Sequence, residues 1–393
     1  MDYLAWAASA PEGARWNLTA SGVPDSCGPT ALGQREPGPV ALVSGQGRDP
    51  GWPLGESFAL GDLCRRDLRG PIEAGFKAAV AKRYGLEADC VAPTLGASGA
   101  ITQVLATLTR PGDHVIVERP TYEPLHRIPE MLGLQVSRLE RKFEEQWEPL
   151  PDRLARLLTP KTRAVILTSL HNPSGVAIGA ETLEAIGEMA ARVGARVLVD
   201  EVYLDFAFAG ADPEGSGWRP ACLEIDNGVS WSSSTKAFGF SALRAGWVVT
   251  RDAEAAAAFR QSADYFHAEP PLASLALATE VLAHGEALVE RANLAIRDAR
   301  EVFERWLEGE PRVSWVPPAA GQIGLLRLPS LTADLDFSHH LRSRYGTQVV
   351  PGTMFEAPGF LRVGFNLPLG DLEQALATIT ATLDDFELGK AVS

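Results

Sequence analysis

A lysine and an arginine eight residues apart form the segment of this chain best suited to chemistry. They lie in Ser232–Arg244, which reads Ser-Ser-Ser-Thr-Lys-Ala-Phe-Gly-Phe-Ser-Ala-Leu-Arg between apolar runs at 229–231 and 246–250. Short runs rich in β-branched and aromatic residues predict buried strands. A lysine among small and hydroxyl residues between two such strands would be partly desolvated, which lowers its pKa toward that of a nucleophilic amine.

Lys236 and Arg244 together indicate a class of ligand. A tunable amine can hold an aldehyde as a Schiff base, and a guanidinium can bind a phosphate through two parallel hydrogen bonds. The segment therefore indicates a phosphorylated aldehyde. A surface turn with one lysine and one arginine would have the same composition, so the rest of the chain must decide between the two interpretations.

The middle of the chain alternates apolar strands with helices. The predicted strands are 114–117, 134–138, 164–168 and 196–199, and the predicted helices around them are 99–108, 122–132, 151–158 and 181–193. The strands are continuous apolar runs, as expected when helices cover both faces of a mainly parallel sheet. We therefore predict an α/β fold.

The two ends of the chain are organised differently. Residues 11–57 are rich in Pro and Gly and predict an irregular arm with one strand near 15–18, followed by a helix at 71–84. A helical region at 271–307 leads to a smaller α+β unit. Its predicted elements are strands at 324–328 and 361–364 and a closing helix at 371–383. The predicted division is an arm at 1–45 that contributes to the small domain, a large domain at 46–285 and a small domain at 286–393.

Polar side chains follow two of the predicted strands. Asn172 lies in Asn-Pro-Ser-Gly after strand 164–168, and Asp200 and Tyr203 follow strand 196–199. Ligands of a doubly wound sheet collect at the carboxyl ends of its strands. A tight turn would explain Asn172 equally well, whereas a helix cap explains Asp200 less well because no helix is predicted to begin there.

Small residues open the helix at 99–108, in the segment Gly-Ala-Ser-Gly-Ala at 96–100. Free amide groups and the positive end of the helix dipole make such a start an anion site. Tyr122, after strand 114–117, is either a core tyrosine or an aromatic side chain that stacks on a heterocycle. The segment lacks the G-x-G-x-x-G spacing of a dinucleotide site, and Gly45-Gln-Gly47 runs into a Pro-rich stretch that cannot open a helix.

In this order and spacing, the motifs resemble fold-type I pyridoxal-phosphate enzymes, specifically class I/II aminotransferases of the aspartate aminotransferase-like superfamily. The resemblance extends from about Trp16 to the C-terminal helix. It implies a large domain with a mainly parallel seven-stranded sheet covered by helices, plus a smaller α+β domain. It also implies transfer of an amino group from an amino acid to a 2-oxo acid in two ping-pong half-reactions.

The resemblance implies a role for each motif residue toward pyridoxal 5′-phosphate. Lys236 would form the internal aldimine and, once released, carry the proton between the substrate and the cofactor. Asp200 would pair with the pyridine nitrogen, Asn172 and Tyr203 would hydrogen-bond the ring 3′-oxygen, and Tyr122 would stack on the ring. The phosphate would be held by the following residues: Ala97, Ser98, Gly99, Ser233 and Arg244.

The substrate would meet residues from both ends of the chain. Arg362, within Phe-Leu-Arg-Val-Gly-Phe-Asn at 360–366, matches the arginine that binds the substrate α-carboxylate. Gly22 matches a glycine that lets the backbone approach the same carboxylate, and Asn172 would also face the substrate. Many family members have a tyrosine five residues before the glycine matching Gly70, where this chain has Arg65, so the contribution expected from a partner subunit is open.

These motifs indicate the cofactor more strongly than they indicate which reaction is catalysed. A pyridoxal-phosphate lyase of the same fold, catalysing C–S cleavage or β-elimination, would use the same lysine, aspartate and asparagine. Arg362 disfavours α-decarboxylation, because a gripped carboxylate is not favoured to leave. The resemblance further implies a homodimer with its site at the interface.

Composition and charge argue against some classes of binding partner. The 393-residue chain has a formal net charge of −14, which argues against nucleic acid and anionic membranes as partners. Its four cysteines are scattered without a C-x-x-C pair, so we predict no metal site and no disulfide framework. The N-terminus has an acid where a signal peptide needs basic residues, and no apolar run reaches membrane-spanning length. We expect a soluble, cytoplasmic protein.

Overall fold

The strands fall into one large and two small sheets. The computed structural model describes residues 3–9, 14–23, 69–207, 218–268, 270–329 and 332–389. In chain order, the strands of these residues are β1 (Trp16–Asn17), β2 (Val91–Leu95), β3 (His114–Arg119), β4 (Gln135–Glu140), β5 (Thr162–Thr168), β6 (Arg196–Asp200), β7 (Gly228–Ser233), β8 (Ala245–Val249), β9 (Ser314–Trp315), β10 (Ile323–Arg327), β11 (Thr347–Gln348), β12 (Val350–Pro351) and β13 (Phe360–Gly364).

Helices cover the large sheet and connect it to the smaller sheets. Those of the described residues are α1 (Tyr3–Ser9), α2 (Arg69–Tyr84), α3 (Gly96–Leu108), α4 (Glu123–Met131), α5 (Pro151–Ala155), α6 (Ala180–Arg192), α7 (Ala221–Glu224), α8 (Ala253–Phe266), α9 (Leu272–Ala283), α10 (Gly285–Gly309), α11 (Asp334–Tyr345) and α12 (Leu369–Glu387). Taken singly, none of them has the length and apolar character of a membrane span. The pair α9–α10 passes that test only jointly, with a bend of 69° between its helices.

The large sheet has seven strands in the order β2-β8-β7-β6-β5-β3-β4. Its strands run parallel except β8, which is antiparallel to both β2 and β7. Apolar side chains of the central strands pack on both faces: Ile166 belongs to a core cluster with α3, and Val165 to another with α6. The mainly parallel seven-stranded sheet predicted from the sequence is therefore confirmed.

A four-stranded antiparallel sheet with the order β12-β13-β10-β9 forms the smaller α+β unit. The N-terminal strand β1 pairs in parallel with β11. The segment around β1 is also hydrogen-bonded to β13, because the Gly364 amide donates to the Leu18 carbonyl at 2.7 Å. The N-terminal segment therefore packs with the small sheet. The domain limits at 45 and 285 stay predictions, and the first lies outside the described residues.

Several elements differ from the sequence-based expectations. Strand β2 was not predicted, since Pro93 interrupts its apolar run; β2 lies at the edge of the sheet, where proline is tolerated. Helix α3 begins at Gly96 rather than at residue 99, and α5 ends at Ala155 rather than at residue 158. A short 3-10 turn, Leu204–Phe206, follows β6, and its N-cap is Tyr203 rather than Asp200.

Candidate active site

A cavity of about 560 Å³ lies beyond the carboxyl ends of β5 and β6 and beside the loop after β7. Residues from the N-terminal arm close one side of it. The predicted site residues that line the cavity are Gly22, Ala97, Ser98, Tyr122, Asn172, Asp200, Tyr203, Lys236 and Arg244. The fold thus brings together side chains from six separate places in the chain.

Three predicted site residues do not line this cavity. Gly99 lies in the first turn of α3. Ser233 is fully buried, with its hydroxyl 2.7 Å from that of Thr235, and Thr235 lines the cavity in its place. Arg362 lies behind Asn172, to which it is hydrogen-bonded. The roles predicted for Gly99 and Ser233 stay predictions.

Lys236 presents its amine at the cavity wall. Its Nζ donates a hydrogen bond to the Ser21 hydroxyl at 2.9 Å. Burial lowers the pKa of Lys236, and the cations Arg362 and Arg244 lower it further, while Asp200 opposes them. A lowered pKa increases the fraction of lysine present as neutral amine at neutral pH, and the neutral amine is the form that acts as nucleophile or base.

Asp200 ends β6 and is buried, with 4 % of the residue exposed. The Val202 amide donates to its Oδ1 at 3.2 Å. Burial raises the pKa of Asp200 to about 6. Because the charged form is poorly solvated there, a cationic partner within the cavity would stabilise it strongly.

Tyr203 and Asn172 add polar groups on the same wall. Burial raises the pKa of Tyr203 to about 12, so its phenol keeps its proton at neutral pH. The Asn172 carbonyl oxygen accepts a hydrogen bond from Nη1 of Arg362 at 3.2 Å. Tyr122 precedes α4 as its N-cap residue and interacts with the Ser98 hydroxyl; burial raises the pKa of its phenol.

The first turn of α3 and Arg244 form an anion site. Gly96 turns the chain from β2 into α3 at a φ of +68°, and a Cβ on it would lie 2.8 Å from Nη2 of Arg244. The glycine at position 246 lets β8 lie close to the start of α3, because a Cβ on Gly246 would lie 2.6 Å from the Gly96 carbonyl carbon. Within the described ranges, no carboxylate forms an ion pair with Arg244. A helix N-terminus and an unpaired guanidinium together suit a phosphate.

Arg362 is a buried cation, and no acid among the described residues forms an ion pair with it. It is 1 % exposed, and its Nη2 donates to the Thr19 carbonyl at 2.6 Å. Its Nε has no hydrogen-bond partner among the described residues. The rings of Phe355 and Tyr3 lie 5.0 and 5.8 Å from its guanidinium carbon. A buried guanidinium with a free donor fits a carboxylate ligand.

Sequence reasoning missed Tyr3, which also lines the cavity. Its ring centroid lies 5.6 Å from that of Tyr122 and 5.2 Å from that of Phe355. Helix α1 is tied to the start of α4, since the Leu4 amide donates to Glu123 Oε2 at 2.7 Å. The aromatic spacing of Tyr3 and Trp6, one helical turn apart, is the signal that could have indicated a packed helix here.

His171 and Glu201, which flank the motifs, support the site from behind. His171 is fully buried, with Nδ1 2.6 Å from the Ser174 hydroxyl and Nε2 2.9 Å from the Pro120 carbonyl oxygen. Burial holds the pKa of His171 well below its usual value. Glu201 accepts a hydrogen bond from the Ala221 amide at 2.7 Å. Both therefore hold loops in place.

The residues present fit pyridoxal 5′-phosphate. Lys236 provides an amine for an aldehyde, Asp200 a buried carboxyl for a ring nitrogen, and Arg244 with α3 an anion site for a phosphate. The unpaired Nε of buried Arg362 leaves a separate place for a carboxylate. The side chains that line the cavity therefore suit a phosphorylated aldehyde, and Arg362, behind the cavity-lining Asn172, provides a group for a carboxylate next to it.

Comparison with known proteins agrees with this reading. Residues 65–379 match the family described as aminotransferase class I and II. Arginine–pyruvate transaminase of Pseudomonas aeruginosa is 27% identical over 347 residues, which are 86% of each chain. Capreomycidine synthase of Streptomyces vinaceus is 28% identical over 302 residues, which are 76% of each chain. The structure of a PLP-dependent aminotransferase from Streptococcus suis has a TM-score of 0.78 at 27% identity and covers 95% of this chain and 94% of that one.

Proposed function

The chain belongs to the aminotransferase class I and II family and is a pyridoxal-phosphate-dependent aminotransferase, and on that premise we propose which residues carry the reaction. When bound, the cofactor supplies an aldehyde for covalent attachment and a pyridine ring that accepts electrons when the bond between the substrate α-carbon and its hydrogen breaks. Lys236 would hold the aldehyde carbon, Asp200 the ring nitrogen, and Asn172 and Tyr203 the ring oxygen. Tyr122 would cover the ring.

The phosphate would be held by Arg244 and the first turn of α3. The support for this placement is that a guanidinium and a helix N-terminus meet with no described carboxylate paired to the guanidinium. Ala97 and Ser98, in the first turn of α3, also line the cavity. Two positive groups in fixed positions would also keep the aldehyde end directed toward Lys236.

Lys236 would move the proton. Once its amine is free, its lowered pKa increases the share of neutral amine that can take the proton from the substrate α-carbon. Asp200 would stay ionised opposite the protonated ring nitrogen, because that cation compensates the cost of burying the carboxylate. Keeping this charge pair out of water strengthens it.

Arg362 would bind the substrate α-carboxylate, and its buried guanidinium next to Asn172, with no ion-paired acid among the described residues, is the single observation that carries the proposal. A gripped carboxylate is retained, so the α-hydrogen rather than carbon dioxide is removed. Asn172, hydrogen-bonded to Arg362, would help to align the same carboxylate. No observation favours C–S cleavage or β-elimination, the alternative considered above.

We propose that the acceptor is a small 2-oxo acid such as pyruvate, which is supported by the name of the arginine–pyruvate transaminase. A screen of amino acids labelled with ¹⁵N on the α-amine, with pyruvate or 2-oxoglutarate, tests this directly. We expect the label in alanine with pyruvate as acceptor, whereas label in glutamate alone would contradict the proposed acceptor, and Lys236→Ala should give no product. Release of ammonia together with pyruvate from the donor would instead indicate elimination.

We further propose that the enzyme is a cytoplasmic homodimer. The support is the family resemblance for the dimer and the absence of paired cysteine motifs for a reducing compartment. Arg65, which stands where many family members have a tyrosine that contributes to the site of the partner subunit, lies outside the described residues. Sedimentation velocity of the purified protein should give twice the chain mass, and a monomer that is fully active would contradict the dimer.

A further inference from the structure

The N-terminal arm packs along the whole side chain of the catalytic lysine. The Val23 amide donates to the Lys236 carbonyl at 3.0 Å, and a Cβ on Gly22 would lie 3.3 Å from Lys236 Cδ. The Ser21 hydroxyl, on a side chain 9 % exposed, accepts the hydrogen bond from Lys236 Nζ at 2.9 Å. Three consecutive arm residues therefore contact the backbone, the stem and the amine of one lysine.

Ser21 also interacts with a second group of the site. Its side chain is hydrogen-bonded to Tyr203, and this hydrogen bond lowers the pKa of the Tyr203 phenol. A serine hydroxyl can accept a hydrogen bond from one group and donate to another at once. Ser21 thus contacts both the Lys236 amine and the Tyr203 phenol.

This contact concerns the lysine when its amine is free, which is the state in which the proposed function requires it to move a proton. We propose that Ser21 is a positioning residue for the free Lys236 amine: it accepts one N–H, so that the nitrogen faces the cavity, and couples the amine to Tyr203. The proposal rests on the function proposed above. Ser21 itself neither gains nor loses a proton, because the proton travels between the substrate carbon and Nζ.

The position of Ser21 depends on the small sheet. The Leu18 amide donates to the Gln348 carbonyl at 2.9 Å, and the Leu18 carbonyl accepts from Gly364, so two strand segments hold the arm three residues before Ser21. Among the described residues, four charged or titratable groups shift the pKa of Lys236: Tyr3, Asp200, Arg244 and Arg362. None of these is altered by changing the Ser21 hydroxyl.

The first test measures the amine itself in the full-length, cofactor-stripped protein. Competitive acetylation across a pH series, read by mass spectrometry of the Lys236 peptide, gives the pKa of the free amine. A hydroxyl that accepts from an ammonium favours the charged form, so Ser21→Ala should lower this pKa by about one unit. Ser21→Thr keeps the hydroxyl and should restore the pKa. Thr19→Val, which removes a hydroxyl bonded to Asn17 instead, should leave it unchanged.

The second test uses the loaded enzyme and follows exchange of the substrate α-hydrogen with deuterium from solvent. Ser21→Ala should slow this exchange by roughly tenfold, with Ser21→Thr close to the unaltered enzyme. An unchanged Lys236 pKa in Ser21→Ala overturns the proposal, as does an unchanged exchange rate. If the pKa shifts while the unaltered enzyme exchanges no α-hydrogen with any amino acid, the proposed function fails and the hydrogen bond stands.

Discussion

At the scale of single residues, the site concentrates charge where the fold solvates it poorly. Asp200 is buried at the end of β6, and its pKa is raised to about 6. In an unfolded chain an aspartate titrates near 4, so the folded, cofactor-free protein binds this proton more tightly than the unfolded chain. Ionised Asp200 therefore destabilises the fold until a cationic partner is bound.

Asp200→Asn should consequently stabilise the cofactor-free protein while weakening cofactor binding. Below about pH 4 Asp200 is protonated in both the folded and the unfolded state and the two proteins match, and by linkage the gain of the variant builds up between about pH 4 and the folded pKa of about 6 and is complete above it. Two pKa units correspond to roughly 2–3 kcal/mol at neutral pH. Urea unfolding at about pH 4 and about pH 7.5 measures the difference.

Glu184→Gln is the matched control for this experiment, because it removes an exposed carboxylate on α6. It should leave the free energy of unfolding within about 0.5 kcal/mol at both pH values. Lower stability of Asp200→Asn at neutral pH would mean that the carboxylate is already compensated in the cofactor-free protein, contrary to the account above.

At the scale of elements, the anion site depends on how closely β8 approaches the start of α3. Gly246 pairs with Thr94 across the two strands, and a Cβ on it would meet the Gly96 backbone at 2.6 Å. Gly246→Ala should therefore displace α3 relative to Arg244, lowering stability by about 1–3 kcal/mol. It should also raise the Kd for pyridoxal phosphate, measured by fluorescence titration.

Gly309→Ala, at the end of α10 with no atom near its Cβ position, is the control for a glycine-to-alanine change. It should leave stability and cofactor affinity essentially unaltered. Equal cofactor affinity in Gly246→Ala and the unaltered protein would show that the approach of β8 to α3 does not shape the phosphate site.

Helix α1 is the second element with a specific consequence for the site. Tyr3 covers one face of the Arg362 guanidinium and meets the edge of Tyr122. Tyr3→Ala should raise KM for the amino donor several-fold, since about 1 kcal/mol of aromatic contact is lost, whereas Tyr3→Phe keeps the ring and should stay close to the unaltered enzyme. Leu4→Ala changes an exposed side chain of the same helix and serves as control.

Steady-state kinetics separates the outcomes for α1. A KM unchanged in Tyr3→Ala would place the helix outside substrate binding. An equal effect of Leu4→Ala would indicate that the helix as a whole, rather than the Tyr3 ring, contributes.

Apolar periodicity was enough to predict the central strands, since β5 and β6 are continuous apolar runs covered on both faces. The predicted end of β3 at Val117 was too early. The strand continues through Glu118, whose carboxylate is buried in an ion pair with Arg141 at 2.7 Å and so does not fit an apolar pattern. A pairing between distant residues leaves no local pattern. The same reason hid the contact of Tyr3 with Tyr122 and that of Ser21 with Lys236, because each joins residues more than a hundred positions apart.

At the scale of the whole molecule, the cavity lies where the large sheet, the small sheet and the N-terminal arm meet. The large sheet supplies Asp200 and Lys236, β13 of the small sheet supplies Arg362, and the arm supplies Ser21. Motif order predicted the first three because each follows or lies within a recognisable strand. The arm's contact with Lys236 depends on pairing between β1 and β11, which no motif records.

Lys236 is the proposed covalent attachment point, on which the roles of the other site residues depend. Borohydride reduction of the protein loaded with pyridoxal phosphate, followed by peptide mapping, locates the modified lysine. We predict one modified lysine, at Lys236, lost in Lys236→Ala and retained in Lys142→Ala. Modification at another lysine, or full modification of Lys236→Ala, would contradict the assignment of the site.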